Sequence, residues 1–306
     1  MKYLLSLFFL LFVVISVRAQ KVRLTLNLTR GKTYYMVSSA SSNISQIINT
    51  ENNKINLATS FKIAFKVTDV SDSVYNMEAS YQSLSLKVRT VNGNAEIDSK
   101  DSTNKAVQSE IAAAIINKPF SIIITKSGKV RSAENVENMI NHVFNDFKQV
   151  DTAKKELIKS QFIQSFGGKA LKEHLEIATS IFPDGLVKKN KKWTRTLKLE
   201  STITANLQTN YKLLEITSDS FLVHAESPVV TDNNAGESMI NGLPVKYHLT
   251  GTMVSDIRAD KTTGWVTELK SKQILKGDLE IIDNPKVPDG ATIPITINNE
   301  QVTTDK

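Results

Sequence analysis

Glu134-Asn135-Val136-Glu137-Asn138-Met139-Ile140-Asn141-His142-Val143-Phe144-Asn145-Asp146-Phe147 (residues 134–147) carries its apolar side chains at Val136, Ile140, Val143, Phe144 and Phe147. Steps of three and four put all five on one face of an α-helix. A second stripe follows at Leu157, Ile158, Phe162, Ile163 and Phe166 and stops at Gly167-Gly168. A third, at Leu171, Leu175, Ala178, Ile181 and Phe182, stops at Pro183. Residues 134–183 therefore read as three amphipathic helices, each of which needs a surface to cover its apolar face.

On either side of this segment the period is two. Val22, Leu24, Leu26 and Leu28 alternate with Arg23, Thr25, Asn27 and Thr29, the mark of a half-buried antiparallel strand. Strands follow at Thr33–Val37, Phe61–Val67, Val74–Ala79 and Ser83–Val88, then a tight turn at Asn92-Gly93. One helix is expected over about 102–117, capped by Asp101-Ser102 and ended before Pro119. Phe120–Ile124 turns through Ser127-Gly128 into Val130. Beyond Pro183-Asp184-Gly185 the strands are Trp193–Leu199, Ile203–Leu207, Tyr211–Ile216, Phe221–Ala225, Val245–Ile257 and Gly264–Leu275. The Pro-containing tail has room for a short edge strand at Ile293, Ile295 and Ile297.

The chain thus reads as α+β: curved antiparallel β-sheets with a central helical insert. Residues 20–133 form an N-terminal β region with one helix, 134–183 the insert, and 184–306 a C-terminal β region. The two β regions contain a weak internal repeat. Phe65-Lys66-Val67-Thr68-Asp69-Val70-Ser71-Asp72-Ser73-Val74-Tyr75 matches Tyr211-Lys212-Leu213-Leu214-Glu215-Ile216-Thr217-Ser218-Asp219-Ser220-Phe221 by residue class, and the turns Lys126–Val130 and Thr262–Val266 also correspond. A duplicated half-barrel explains the match; so does convergence on hairpin chemistry.

With 306 residues, 41% hydrophobic and 23% charged, the chain is neither disordered, collagenous nor a polytopic membrane protein. Residues 1–19 form an export signal: Lys2, an apolar run from Leu4 to Val17, then Val17-Arg18-Ala19 before Gln20. The run is shorter than the ~20 residues a spanning helix needs. The expectation is cleavage after Ala19, no stable membrane span afterwards, and a periplasmic or extracellular location. The chain has no Cys, which excludes a thiol nucleophile, a thiolate metal site, a disulfide framework and a lipoprotein anchor.

The formal charge is +7, and only seven of the 38 basic residues are Arg. Nucleic-acid sites favour Arg, so no nucleic-acid partner is expected. The run Lys188-Lys189-Asn190-Lys191-Lys192 reads as a solvated turn. His142, His174, His224 and His248 fit no metal motif, and all four read as surface residues. Ser102-Thr103-Asn104-Lys105 is better explained by a helix cap than by a Ser/Lys nucleophile, and Lys261-Thr262-Thr263-Gly264 by a turn. Asp256-x-Arg258-x-Asp260 reads as a cross-strand ion-pair ladder rather than a pair of hydrolytic carboxylates. No catalytic, cofactor-binding or metal residue is assigned, and no enzyme activity is expected.

The export signal, the run Phe120-Ser121-Ile122-Ile123-Ile124-Thr125-Lys126-Ser127-Gly128-Lys129-Val130 followed directly by helices, and the closing Lys-x-x-Gly strand with its Ile-Pro-Ile tail resemble an uncharacterised family of exported proteins from Bacteroidetes-type bacteria, a domain of unknown function. The resemblance spans nearly the whole mature chain and implies an envelope or secreted location without a catalogued activity. The strands and helices are also similar in outline to the half-barrel lipoprotein carriers of the bacterial envelope. The function expected is a non-enzymatic envelope protein holding a lipid or other apolar ligand between sheet and helices, with Phe144, Phe147, Phe162 and Phe166 as pocket lining. A structural or partner-binding protein with a filled core is the alternative.

Overall fold

The computed structural model describes residues 21–306 apart from 102, 104, 105, 202, 233–235 and 241. The export signal at 1–19 and the Ser102 cap lie outside the described residues. In chain order the elements are β1 (Val22–Arg23), β2 (Thr33–Ile48), β3 (Glu51–Val70), β4 (Val74–Thr90), β5 (Gly93–Asp98), α1 (Val107–Ile115), β6 (Phe120–Thr125), β7 (Val130–Glu134), α2 (Val136–Asp146), α3 (Thr152–Phe166) and α4 (Gly168–Thr179). They continue with β8 (Leu186–Val187), β9 (Lys192–Leu199), β10 (Ala205–Ile216), β11 (Ser220–Val230), β12 (Ser238–Ile240), β13 (Leu243–Asp260), β14 (Val266–Ile281) and β15 (Ala291–Thr304).

Most strands join one antiparallel sheet in the order β7-β6-β4-β3-β2-β15-β14-β13-β11-β10-β9, with β5 added beside β4 and β12 beside β13. The sheet is open: β7 and β9, its outermost strands, do not pair. It is also strongly curled, as the segment after β1 shows. Leu26 N–H donates to Lys126 O at 2.9 Å and the adjacent Asn27 N–H to Thr263 O at 2.7 Å. Those two turns close the β6–β7 and β13–β14 hairpins, with β4, β3, β2 and β15 between them. In a flat sheet, at ~4.8 Å per strand, they would stand roughly 28 Å apart.

The alternation at Val22–Leu28 correctly marks Leu24, Leu26 and Leu28 as buried. It is not a strand throughout, because only Val22 and Arg23 form a ladder, with β8. The backbone beyond them is satisfied by hairpin turns instead. Helix α1 starts at Val107, not near residue 102. Asp101 accepts the N–H and hydroxyl of Thr103, a local turn that competes with a cap, and Ala106 at the cap position makes no side-chain bond.

The expected short edge strand near Ile293 is instead the 14-residue β15, and it is central, between β14 and β2. Pro294 lies opposite Asp278 of β14 but just outside the stretch paired with β2, which begins at Ile295. No element is expected over residues 38–60, yet β2 and β3 run through it and turn at Asn49 and Thr50, both at positive φ. Serine and asparagine alternating with single small apolar residues blunt the pattern there.

The matched segments occupy matching places. Gly31 N–H bonds Val67 O at 2.8 Å, as Asn190 N–H bonds Leu213 O at 2.7 Å. Lys126 N–H bonds Ser73 O at 3.1 Å, as Lys261 N–H bonds Asp219 O at 2.8 Å. The ladder is bulged after Val67 in β3 and after Leu213 in β10. β15 lies between β2 and β14 and so joins the strand runs β2-β3-β4-β6-β7 and β9-β10-β11-β13-β14 into one sheet.

Inside the curl lie two apolar clusters. One unites Phe61, Ile63 and Phe65 with α1–α4 and the turn ends of β10, β11 and β13. The other gathers Leu197, Leu207, Val229, Leu249, Leu275 and Ile297 with their neighbours. Helix α4 packs between β7 and β9. Glu176 Oε1 accepts Val130 N–H at 2.9 Å on the β7 side, and Thr179 Oγ1 donates to Gly128 O at 2.7 Å. On the β9 side Glu173 Oε2 accepts Glu200 N–H and Ser201 N–H at 2.9 and 3.1 Å. Trp193 Nε1 and Arg195 from β9 donate to Ile181 O and Phe182 O just past the helix. A helix with its own carboxylates thus satisfies strand-end N–H groups that closure of the sheet would otherwise have paired.

Candidate functional site: the open stretch of the concave face

The helices fill only part of the curl, and the ladder register shows what lies beyond them. Inward-facing residues on neighbouring strands fall into rungs. The rung under α4 runs Leu269–Thr303–Ser38–Phe61–Leu84. Every member is buried, and the Phe61 ring lies 5.3 Å from the ring of His174. The next rung is Ser271–Gln301–Ala40–Thr59–Leu86–Ile97, followed by Gln273–Asn299–Ser42–Leu57–Val88 and then Leu275–Ile297–Ile44–Ile55. Along these outer rungs Ile44, Ile55, Leu57, Leu86, Val88 and Ile97 are only half-buried. They form an aliphatic trough on the inner face of β2–β5, in which Leu86 and Ile97 pack against the first apolar cluster and Ile44 against the second.

A polar belt of uncharged groups crosses the same rungs. Thr209 and Ser227 share a hydrogen bond of 2.7 Å, Ser255 donates to Ser271 at 2.9 Å, and Thr303 donates to Ser38 at 3.0 Å. Gln301 Nε2 reaches Ser38 and Thr303. Asn299 Nδ2 donates to Gln273 Oε1 at 2.7 Å. Asn299 Oδ1 is buried and has no partner among the described residues. Arg195 stands at the far end of the Asn299 rung, occupied by Phe182 O and Asp184.

Phe144, Phe162 and Phe166 form a packed aromatic column. Ring centroids are 6.1 Å apart for Phe144 and Phe162 and 4.9 Å for Phe162 and Phe166. Tyr81 stands 6.3 Å from Phe166 and donates its hydroxyl to Phe166 O at 2.8 Å. Burial raises the Tyr81 phenol far above its ordinary range. Phe147 is partly buried at the end of α2. The structure thus brings three of the four phenylalanines together as mutual packing partners. An open depression of about 530 Å³ lies elsewhere, beside Asn76, Glu78, Ser121 and Ile123.

His174 is not a surface residue. Its Nδ1 is buried without a partner among the described residues, and burial lowers its pKa to about 4. The stripe hid this because α4 is enclosed on more than one side: Ala170, Leu171, Leu175, Glu176, Ala178 and Thr179 are all buried. Burial also raises the pKa values of Glu173 and Glu176, against the backbone hydrogen bonds each accepts.

His224 and His248 do lie on the outer face. His224 is held between Asp256 and Glu226 at 2.7 and 3.1 Å, and the Asp256 bond raises its pKa. His248 meets Glu280 at 2.8 Å. The ladder expected at Asp256-x-Arg258-x-Asp260 is present in part. Asp256 pairs with His224 and Arg258 lies 3.7 Å from Glu215, but Asp260 caps the Thr262-Thr263 turn. Among the described residues no group of three or more His, Asp and Glu is arranged to hold a metal, and no helix is long and apolar enough to cross a membrane.

The trough escaped sequence reading because its members come from four strands, and only the register joins them. The isolated aliphatics Ile44, Ile55 and Leu57 in a polar stretch were its one local signal.

Over 92% of its length the chain is similar to lipovitellin, in a structure describing lipid–protein interactions, at 13% identity and a TM-score of 0.47. It spans 25% of the lipovitellin chain. It also matches DynF from the dynemicin biosynthesis pathway of Micromonospora chersina, at 5% identity and a TM-score of 0.23, covering 93% of this chain and 85% of that one. A third match is an outer-membrane channel from Pseudomonas putida F1, at 7% identity and a TM-score of 0.24, covering 91% and 97%. No curated protein matches the sequence. A family model matches residues 72–266, more than half of the chain, which therefore belongs to the family of unknown function DUF6263.

Proposed function

We propose that this is a non-enzymatic, exported envelope protein that holds an apolar or amphipathic ligand on the concave face of its sheet, in the trough formed by Ile44, Ile55, Leu57, Leu86 and Val88. The observation that carries this reading is that these neighbouring aliphatic side chains are only partly buried, next to rungs whose members, such as Phe61, Leu84 and Leu269, are fully buried. Contiguous apolar surface in a concavity is costly to leave wet and commonly marks a binding site. The site is moved from the phenylalanine column, whose rings already fill one another's space, to the sheet beside it. The curled sheet is read as a duplicated half-barrel, with the matched hydrogen bonds of its two halves in support. Export rests on the signal at residues 1–19 and cleavage after Ala19.

Native mass spectrometry of protein purified from its own cell envelope tests the reading. A bound small molecule is expected on the wild type and not on Leu57→Lys/Val88→Lys, whose inserted charges would occupy the trough. Wild type purified without any adduct, under conditions that retain lipids on a known carrier, would count against it. The filled-core alternative is favoured by the packing of Phe144, Phe162 and Phe166, and that outcome would restore it.

A further inference from the structure

We infer that the ligand of this trough is a single-chain amphiphile with an uncharged hydroxyl head, of the long-chain alcohol or monoacylglycerol class, and that Asn299 receives the head. The inference rests on the trough reading above and narrows it.

The aliphatic rung Ile297–Ile44–Ile55 and the Asn299 rung are adjacent, so a chain lying along Ile44 and Leu57 brings its end to Asn299. There the protein offers a buried carbonyl oxygen, Asn299 Oδ1, without a partner, while the amide nitrogen is already committed to Gln273. A buried acceptor without a donor is unfavourable, and a ligand hydroxyl would supply the missing proton. If both amides are turned over, the unpaired group becomes an N–H and the ligand must accept; a hydroxyl does either. A carboxylate or a fully ionised phosphate cannot donate. In the reversed arrangement it would still lie buried in a belt of Ser, Thr, Asn and Gln with no free cation among the described residues. Arg195, on the same rung, is engaged by Asp184 and Phe182 O, and burying an uncompensated anion is strongly disfavoured. The imidazole of His174, the titratable group facing Phe61 from the helix side, is held neutral by its burial.

The test is displacement of an uncharged fluorescent apolar probe from the full exported chain by matched ligands: hexadecan-1-ol, 1-monopalmitoylglycerol, hexadecanoate and hexadecylammonium, at a pH where the acid is ionised. The alcohol and the glyceride are expected to compete at least ~tenfold more strongly than either ion, the span of one to two charge-free hydrogen bonds against a buried charge. Asn299→Leu should remove most of the alcohol's advantage over the two ions. Equal or tighter binding of hexadecanoate would overturn the inference, as would full retention of the alcohol's advantage by a folded Asn299→Leu. The ranking on the unsubstituted protein decides the matter even where that variant does not fold. If the probe itself fails to bind, it is the trough reading that falls; if the probe binds and an ion wins, only the head assignment falls.

Discussion

Glu176 Oε1 on α4 accepts the backbone N–H of Val130 at 2.9 Å, so a helical carboxylate occupies the place of a neighbouring strand at the outer edge of β7. Replacing Glu176 by Ala leaves that buried N–H unpaired, at a cost of about 1–3 kcal/mol. Glu176→Gln keeps an acceptor and should cost less. Urea unfolding of the two variants checks the order, and hydrogen exchange at Val130 should quicken in Glu176→Ala alone. Equal stability of all three proteins would show that the contact does not fasten the helix.

Phe162 lies between Phe144 and Phe166 and is 3% exposed. A packed column predicts that Phe162→Ala costs about 3–5 kcal/mol, since the neighbours cannot collapse fully into the space. Were the four phenylalanines the lining of an open pocket, truncation would cost far less. Chemical denaturation distinguishes these outcomes.

Much of this was legible beforehand. The three stripes between residues 134 and 183 correspond to α2, α3 and α4, because amphipathic periodicity is a local property. The matching turns were visible for a similar reason: the bulges after Val67 and Leu213 are followed by short similar runs, Ser71-Asp72-Ser73 and Thr217-Ser218-Asp219. What could not be read was anything fixed by register. Ile44 meets Ile55 across a hairpin, but Val88 and Asn299 join them only once β4 and β15 are laid beside β3 and β2. His174 was misplaced because a helix lodged between two strands buries more than the single face its stripe displays.

Gly128 has φ +83, and a Cβ there would stand 1.8 Å from the backbone O of Thr179, the residue whose Oγ1 docks the end of α4 on Gly128 O. Gly128→Ala therefore combines a strained backbone with displacement of the helix and should cost more than ~2 kcal/mol. Gly31, at φ +80 with open space around it, is the control. Its Ala variant should lose only the ~1 kcal/mol of left-handed strain. Thermal unfolding of the pair reads the difference.

His174 titrates at about 4 in the folded chain, below the ordinary value of 6.5, because burial disfavours the imidazolium. The neutral form is thus the one the fold prefers. Its contribution is complete above ~pH 6.5 and is lost as the pH falls towards 4. Glu173 and Glu176, with raised values, act in the opposite sense: acidification neutralises them more readily in the folded chain. Relative to His174→Phe, wild type should lose about 2 kcal/mol of unfolding free energy between pH 7 and pH 4. Parallel pH dependences in urea titrations would contradict a buried, neutral imidazole.

Methyl-resolved NMR of Ile-, Leu- and Val-labelled protein, titrated with an uncharged long-chain ligand, tests the trough most directly. Saturable shifts are predicted at Ile44, Ile55, Leu57, Leu86 and Val88, with Leu207, Leu249 and Ile140 unmoved. Shifts confined to the methyls around the phenylalanine column, or none at saturating ligand, would contradict it.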